Sequence, residues 1–284
     1  MSVLSRNELR IVLCPSHAAL LDVEHRFTRR GIRHECKRRE IIPGADGIAK
    51  ISAKRRYDKV LMALEAALPA YAQQHAAATL ILSNHFARYM LVPWSEDLSG
   101  DAERLAYTRH CYREHYGEVA NQWELRLSPD RDGTTQLSCA VDRRLLAATR
   151  DIFARRGMTI ASIQPHLMAA YNRAYPLLQR RTAWLGLVEP GMLFLALLEQ
   201  GQWSRLRTLR IGADWQEQLP QLLDREACLA GVAEATSEVL LAAPDAGTLT
   251  FPGGGRWQFR QLSAPAAQAG VADGEWGFAM AGQG

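Results

Sequence analysis

The sequence has little of what anchors a chain outside the cell. It holds five cysteines, an odd number without regular spacing, which argues against a secreted disulfide framework. Its longest strongly apolar run, Met192–Leu198, is far below the ~18 residues that span a bilayer. The opening residues, Met1-Ser2-Val3-Leu4-Ser5-Arg6, contain no apolar core of signal-peptide length. The expected location is therefore the reducing cytoplasm. Catalytic signatures are also missing. There is no Gly-x-Ser-x-Gly and no His-Glu-x-x-His, so a serine-hydrolase elbow and a zinc-protease helix are excluded. A ribonuclease-H-type acidic triad needs a carboxylate in the first strand. Leu9–Leu13 offers none, which argues against a nuclease.

What is present describes an ordinary globular protein. Of 284 residues, 48% are hydrophobic and 23% charged, which excludes a fibre, a coiled-coil rod and wholesale disorder. The length suits two lobes of roughly 140 residues each. The net charge of +4 conceals an asymmetry. All four lysines (Lys37, Lys50, Lys54 and Lys59) fall between Arg26 and Lys59, a window that carries +8 and leaves the remainder at −4. Arg29, Arg30, Lys37, Arg38, Arg39, Arg55 and Arg56 are therefore candidates for contact with an acidic surface. The bland alternative is a solvated strand edge followed by a charged helix start.

Strands are expected at Leu9–Leu13 and Ala18–His25, joined by Cys14-Pro15-Ser16-His17, with a third over Arg33–Ile42. Tyr57, Val60, Leu61, Leu64 and Leu68 repeat at helical spacing, and Pro69 ends or kinks that helix. Ala78–Ser83 and His85–Val92 read as a strand pair. Asp101–Tyr116 reads as a helix with acids in its first turn and Gly117 at its stop. Gln122–Leu127 and Thr135–Val141 suit a hairpin around Asp130-Arg131-Asp132-Gly133. Asp142 caps the next helix, which Gly157 ends; Met158–Ile163 is a strand, and Pro165 opens a helix expected to stop before Pro176.

The second half starts afresh with strands at Thr182–Val188, Leu193–Glu199 and Arg205–Arg210. A helix over Asp214–Cys228, interrupted at Pro220, and a strand at Glu238–Ala242 follow. Thr248–Phe251 and Trp257–Leu262 flank Gly253-Gly254-Gly255, and Trp276 and Phe278 are expected to close the C-terminus on the body. Strands, helix and strand recur in both halves without a sequence repeat. That order points to the α/β class, with any duplication structural only.

A set of local patterns now carries a resemblance. It consists of Leu91-Val92-Pro93-Trp94-Ser95, an acidic helix ending Tyr116-Gly117, Trp123-Glu124-Leu125, Ala140-Val141-Asp142 before a Leu-rich helix, Ile163-Gln164-Pro165, and Ala170-Tyr171-Asn172. Together they resemble the actin-like cytoplasmic proteins of bacterial type IV pilus and type II secretion assembly: the PilM-type proteins and the cytoplasmic domain of the secretion L component. The resemblance spans roughly residues 9–282. It implies an actin-like, ribonuclease-H-like fold of mixed sheets flanked by helices. Residues 1–178 would form one lobe and 179–284 the other.

In ATP-binding members of that fold, two hairpin turns grip the phosphates and a glycine pair packs on the adenosine. Backbone N–H donors and an acidic residue for magnesium or water are the physical need. The positions that match here are Ser16 and His17 in the first turn, Glu189 and Gly191 in the second, and Ala242 and Ala243 at the adenosine turn. Pro15 and Pro190 each remove a donor, and alanines replace the glycine pair. The implied cleft is vestigial, with no catalytic residue and no cofactor; ATP with magnesium is the alternative. Gly253-Gly254-Gly255 lacks the lysine and helix of a phosphate loop.

Other chemistry is weaker still. Cys14-x-x-His17 and His34-x-Cys36 lack the paired spacing of structural zinc. His110 and His115 point about 140° apart on a helix. Cys14 beside His17 is the sole local candidate for a cysteine nucleophile, and a turn position is the simpler account. The basic window holds only Phe27 and Tyr57 as aromatics, thin support for nucleic-acid binding. Contact with an anionic membrane fits the charge equally.

The expectation is a non-catalytic scaffold, cytoplasmic and peripheral to the inner membrane through a protein partner of a pilus or secretion platform. The alternatives are a divergent ATPase or kinase and a basic nucleic-acid-binding module. The secretion L component continues into a transmembrane helix. The present sequence is thus expected to be either a PilM-like piece or a trimmed part of a membrane protein.

Overall fold

The structure is a computed structural model, which describes residues 5–28, 31–44, 57–98, 100–128, 133–232, 236–243, 249–251 and 255–262. Along the chain run β1 (Ser5–Leu13), β2 (His17–Thr28), β3 (Gly31–Pro43), α1 (Asp58–Ala67), α2 (Pro69–Ala72), β4 (Ala77–Leu82), β5 (Ala87–Val92), α3 (Asp101–Tyr116), β6 (Trp123–Leu127) and β7 (Gln136–Asp142). Then come α4 (Arg143–Arg155), β8 (Thr159–Pro165), α5 (His166–Leu178), β9 (Ala183–Glu189), β10 (Met192–Glu199), β11 (Gln202–Arg210), α6 (Trp215–Ala230), β12 (Glu238–Ala242) and β13 (Gln258–Gln261).

The chain forms two compact units that interleave in sequence. One takes residues up to Ala87 together with Val141–Ala169. The other takes Arg88–Ala140 and Ala170–Ser263. Residue 178, the boundary expected from the sequence, falls inside the second.

Each unit holds a five-stranded mixed sheet, and the two have the same topology. In the first the order is β3-β2-β1-β4-β8; in the second it is β11-β10-β9-β12-β13. In both, three strands meander antiparallel. The first of them then pairs in parallel with a fourth, which pairs in parallel with a fifth. The duplication is thus one of topology, as expected from the order of elements.

The central strands read as apolar runs because both their faces are covered. Leu9, Ile11, Val12 and Leu13 of β1 are fully buried, and every residue of β9 is buried. The face of the second sheet bearing Trp184, Leu195 and Leu241 packs on Leu219, Leu223 and Ala227 of α6. A third sheet of order β5-β7-β6 belongs to the second unit up to Ala140. It is covered by α3, whose buried Tyr112 packs with Leu125 and Ala140. The Tyr112 hydroxyl donates to the Arg88 and Ser138 carbonyls.

Several local signals act as read. The Asp142 carboxylate accepts the Arg144 N–H at 2.8 Å and caps α4. α3 ends at Gly117 with φ +75°. Pro69 kinks the chain between α1 and α2 and does not end the helical path, since the Ala72 N–H still reaches the Leu68 carbonyl at 2.9 Å.

Other expectations are corrected. β4 and β5 are not a pair: β4 lies between β1 and β8, and β5 lies in the three-stranded sheet. α5 runs through Pro176, and α6 runs unbroken through Pro220; a proline deletes one helical hydrogen bond, and the packed helix persists around it. β1 begins at Ser5 and so includes an acid, Glu8. That carboxylate is engaged with Arg10 at 3.1 Å and the Thr79 hydroxyl at 2.6 Å, at the opposite end of the strand from the turn. Residues 249–251 are not strand; the Leu249 N–H is held by the Gln261 side chain at 2.9 Å. The loop tip at 130–132, Gly253-Gly254, Trp276 and Phe278 lie outside the described residues.

The β10–β11 turn puts Gln200 at φ +51° and Gly201 at φ +81°, the double positive φ of a tight primed hairpin turn. A Cβ on Gly201 would sit 3.0 Å from the Arg180 nitrogen and 3.3 Å from the Leu178 carbonyl oxygen. Gly201→Ala is expected to lower stability by about 1–2 kcal/mol, read as a drop in the midpoint of urea unfolding. An unchanged midpoint would refute this reading of the turn.

Candidate functional site

The turn after β1 is pinned from three sides. The Cys14 N–H donates to the His17 carbonyl at 2.9 Å, the Gly44 N–H to the Ser16 carbonyl at 2.6 Å, and the Ser83 N–H to the Leu13 carbonyl at 2.9 Å. Pro15 has no N–H to give. A Cβ on Gly44 would lie 2.8 Å from the Ser16 carbonyl oxygen, so this approach requires glycine. Ser16 Oγ and His17 Nδ1 lie 2.8 Å apart, so these two candidates are bonded to each other.

The turn after β9 runs Glu189-Pro190-Gly191-Met192, with Glu189 and Met192 paired across the ladder. Proline followed by a glycine at φ +75° is the pattern of a type II turn. This turn lines a cavity of about 420 Å³ with Val188, the loop Ile211-Gly212-Ala213, Trp215 at the start of α6, and Ala243 just after β12. All nine lining residues belong to the second unit. The structure thus brings together Glu189, Gly191 and Ala243. Ala242 sits one residue earlier, buried in β12 opposite Leu187.

Among the described residues the lining holds one carboxylate, Glu189, which is 4% exposed, and no cation. Sequence reasoning missed Gly212 and Trp215. Their signal was the short link between a strand and a helix opening after Asp214. A Cβ on Gly212 would lie 2.8 Å from the Asp214 carboxylate, so a side chain there would displace Asp214.

The basic candidates divide. Lys37 pairs with Glu24 at 3.1 Å, and Arg38 with Glu40 at 2.8 Å. Arg38 also stacks over the Tyr71 ring at 4.6 Å. Arg39 is exposed and makes no ion pair among the described residues. Arg29, Arg30, Arg55 and Arg56 lie outside the described residues. Beneath this edge the Tyr71 hydroxyl donates to Glu40 at 2.8 Å; burial, reinforced by that carboxylate, pushes the phenol well above its ordinary value. His75 faces Asp22 at 3.2 Å in the core of the same unit. The sequence did not signal either contact.

His110 and His115 are both exposed on α3. Among the described residues no group of three or more metal-binding side chains comes together. Cys14 is buried, and His17 Nδ1 is hydrogen-bonded with Ser16. Burial pushes the Cys139 thiol up to about 12, whereas Cys228 is exposed. With a disulfide reagent at pH 8, Cys228 is expected to react first and Cys139 to lag by more than tenfold, because the thiolate is the reacting form. Burst labelling of Cys14 would restore the cysteine-nucleophile reading.

No family model matches the sequence, and no curated protein matches it. Solved structures do. A chain of the PilM–PilN type IV pilus biogenesis complex superposes with TM-score 0.58 at 14% identity, covering 83% of this chain and 81% of that one. The cytoplasmic domain of EpsL, an inner-membrane component of the type II secretion system of Vibrio cholerae, gives TM-score 0.53 at 13% identity over 90% of each chain. A Bacteroides thetaiotaomicron protein with an actin-like ATPase fold and unknown function gives 0.51 at 9% identity, covering 86% and 83%. With its two mixed sheets of one topology and their flanking helices, the chain has the actin-like α/β fold, and the resemblance read from its sequence holds at that level.

Proposed function

We propose that the protein is a non-catalytic actin-like scaffold on the cytoplasmic side of a pilus or type II secretion assembly platform, and that it works by holding protein partners. One observation carries the non-catalytic part: the chemistry of the second-unit cavity. A triphosphate needs N–H donors and cations around it. Among the described residues the lining offers a buried carboxylate, a proline and small apolar residues, with no lysine or arginine. Within the first unit, the turn after β1 likewise has a proline, and its Ser16 carbonyl is bound to Gly44. ATP with magnesium does not fit this donor set, so no step is assigned to it.

The assembly part draws support from the fold likeness to the pilus complex and to the EpsL domain. No helix among the described residues is long and apolar enough to cross a membrane. In this reading the attachment to a membrane runs through a partner.

Thermal unfolding with and without Mg-ATP tests the first part. A ligand at 100-fold excess over its Kd stabilises by about 2.7 kcal/mol; no upward shift is expected. A clear shift, with hydrolysis that Glu189→Ala abolishes, would replace the scaffold with an ATPase.

Co-purification from a membrane extract of the source organism tests the second part. Recovery of a pilus or secretion component is expected, and its absence would remove the assembly role.

A further inference from the structure

β3 is the outermost strand of the first sheet, and among the described residues its partner on the ladder is β2 alone. An edge strand carries a row of N–H and C=O groups directed away from the sheet, a ready template for another chain. In β3 the register shifts once, where Asp22 faces Arg38 and Val23 faces Cys36, leaving Lys37 as the extra residue of a bulge. From Arg38 to Ile42 the pairing is unbroken.

The side chains along this stretch are unusual for a merely guarded edge. Charges and bulges are common protection against edge-to-edge pairing, and Lys37, Arg38 and Arg39 fit that role. Ile41 does not: it is 53% exposed in the middle of the stretch. An apolar residue there adds adhesive surface where a guarded edge would place a polar one.

The cations also point in more than one direction. Successive side chains in a strand alternate between faces. Arg38 and Glu40 lie on the face that meets Tyr71, which leaves Arg39 and Ile41 on the other. A bilayer or a duplex reads a single basic face. A strand laid alongside β3 is reached from both faces at once.

We propose that the Arg38–Ile42 edge of β3 is a docking strand for an extended acidic segment of a partner protein. The segment adds a strand to the sheet through main-chain hydrogen bonds, its carboxylates meet Lys37, Arg38 and Arg39, and an apolar residue covers Ile41. The inference rests on the scaffold reading for the nature of its partner. It is tested apart from that reading, on the purified chain.

The probe is a labelled (Glu-Glu-Val-Val)₂ peptide, which as a strand carries carboxylates and valines on both faces; it is compared with (Lys-Lys-Val-Val)₂ and with the same acidic peptide N-methylated at every residue, which keeps the charge and removes the donors. Binding of (Glu-Glu-Val-Val)₂ is expected to weaken at least tenfold in the Arg38→Glu/Arg39→Glu variant and several-fold in Ile41→Thr. Ile41→Thr is expected to melt as the parent does, and the double variant somewhat lower, since it loses the Arg38–Glu40 pair and the stack on Tyr71. Bound peptide is expected to slow amide hydrogen exchange within 38–42. Loss of binding on N-methylation, which needs no variant to fold, is the decisive result.

Equal binding of the N-methylated peptide would overturn strand addition. So would a (Glu-Glu-Val-Val)₂ peptide that fails to bind at 50 mM salt while phosphatidylglycerol vesicles or duplex DNA bind in a manner sensitive to the same double variant. If peptide binding fails while platform components still co-purify, this proposal falls and the scaffold reading stands.

Discussion

The parallel pairing of the first strand with the fourth, repeated in both sheets, is the constraint from which the rest of the molecule follows. Parallel neighbours cannot be joined by a tight turn; they need a crossover long enough to return the chain to its starting edge. Between β1 and β4 that return includes α1 and α2, and between β9 and β12 it includes α6. Each crossover brings a helix that needs a sheet face to bury its apolar stripe. The first strand of each sheet therefore ends up interior, which is why Leu9–Leu13 and β9 are apolar almost without interruption.

The same pairing places the site. Parallel strands finish at the same edge of the sheet, so the turn leaving β9 and the chain leaving β12 emerge side by side, with Ala242 opposite Leu187. Glu189, Gly191 and Ala243 share a cavity for that reason. In the first unit Leu13 of β1 lies opposite Leu82 of β4, and Leu82 opposite Pro165 of β8. Ser83 and Asn84 can then tie the strand ends together: the Ser83 N–H reaches Leu13 and the Asn84 side-chain oxygen accepts from the Leu167 N–H at 3.1 Å. A crevice at the carboxyl ends of strands is where open α/β sheets bind ligands. The topology supplies the place, and the residues decide what chemistry is done there.

What the sequence revealed follows the range of the forces involved. Local signals were legible. Asp142 caps a helix because its own side chain reaches two residues on, and Gly117 stops one because its φ is positive. Central strands were legible because burial on both faces removes polar residues from them. Sheet membership was not, because β4 and β5 are close in sequence while the partners of β4 come from Leu9–Leu13 and Thr159–Pro165. The start of β1 was missed because Ser5–Glu8 is polar, and Glu8 is held in the strand by its pair with Arg10. At the site, the turn residues could be named through the family resemblance. Gly212 and Trp215 could not, since they reach the cavity from the β11–α6 link.

The duplicated topology also allows the two hairpin turns to be compared within one molecule. They occupy equivalent places, one after the first strand of each sheet, and each carries proline at its second residue, Pro15 and Pro190. A proline in a turn has two physical effects: it fixes φ near −65° and it deletes an N–H. For a turn that grips phosphate the second effect is harmful and the first brings no compensating contact. For a turn whose task is to hold a fixed surface the first effect is useful, because the unfolded chain loses freedom and the folded loop does not, and the missing donor costs nothing where no anion is to be bound. Both turns show the further signs of a fixed shape. Gly44 closes on the Ser16 carbonyl in one, and Gly191 takes the positive φ that lets a two-residue link close in the other, with its own carbonyl accepting the Ile211 N–H at 3.2 Å. Under the scaffold proposal, prolines at two places related by topology suit turns kept for their shape and not for gripping phosphate.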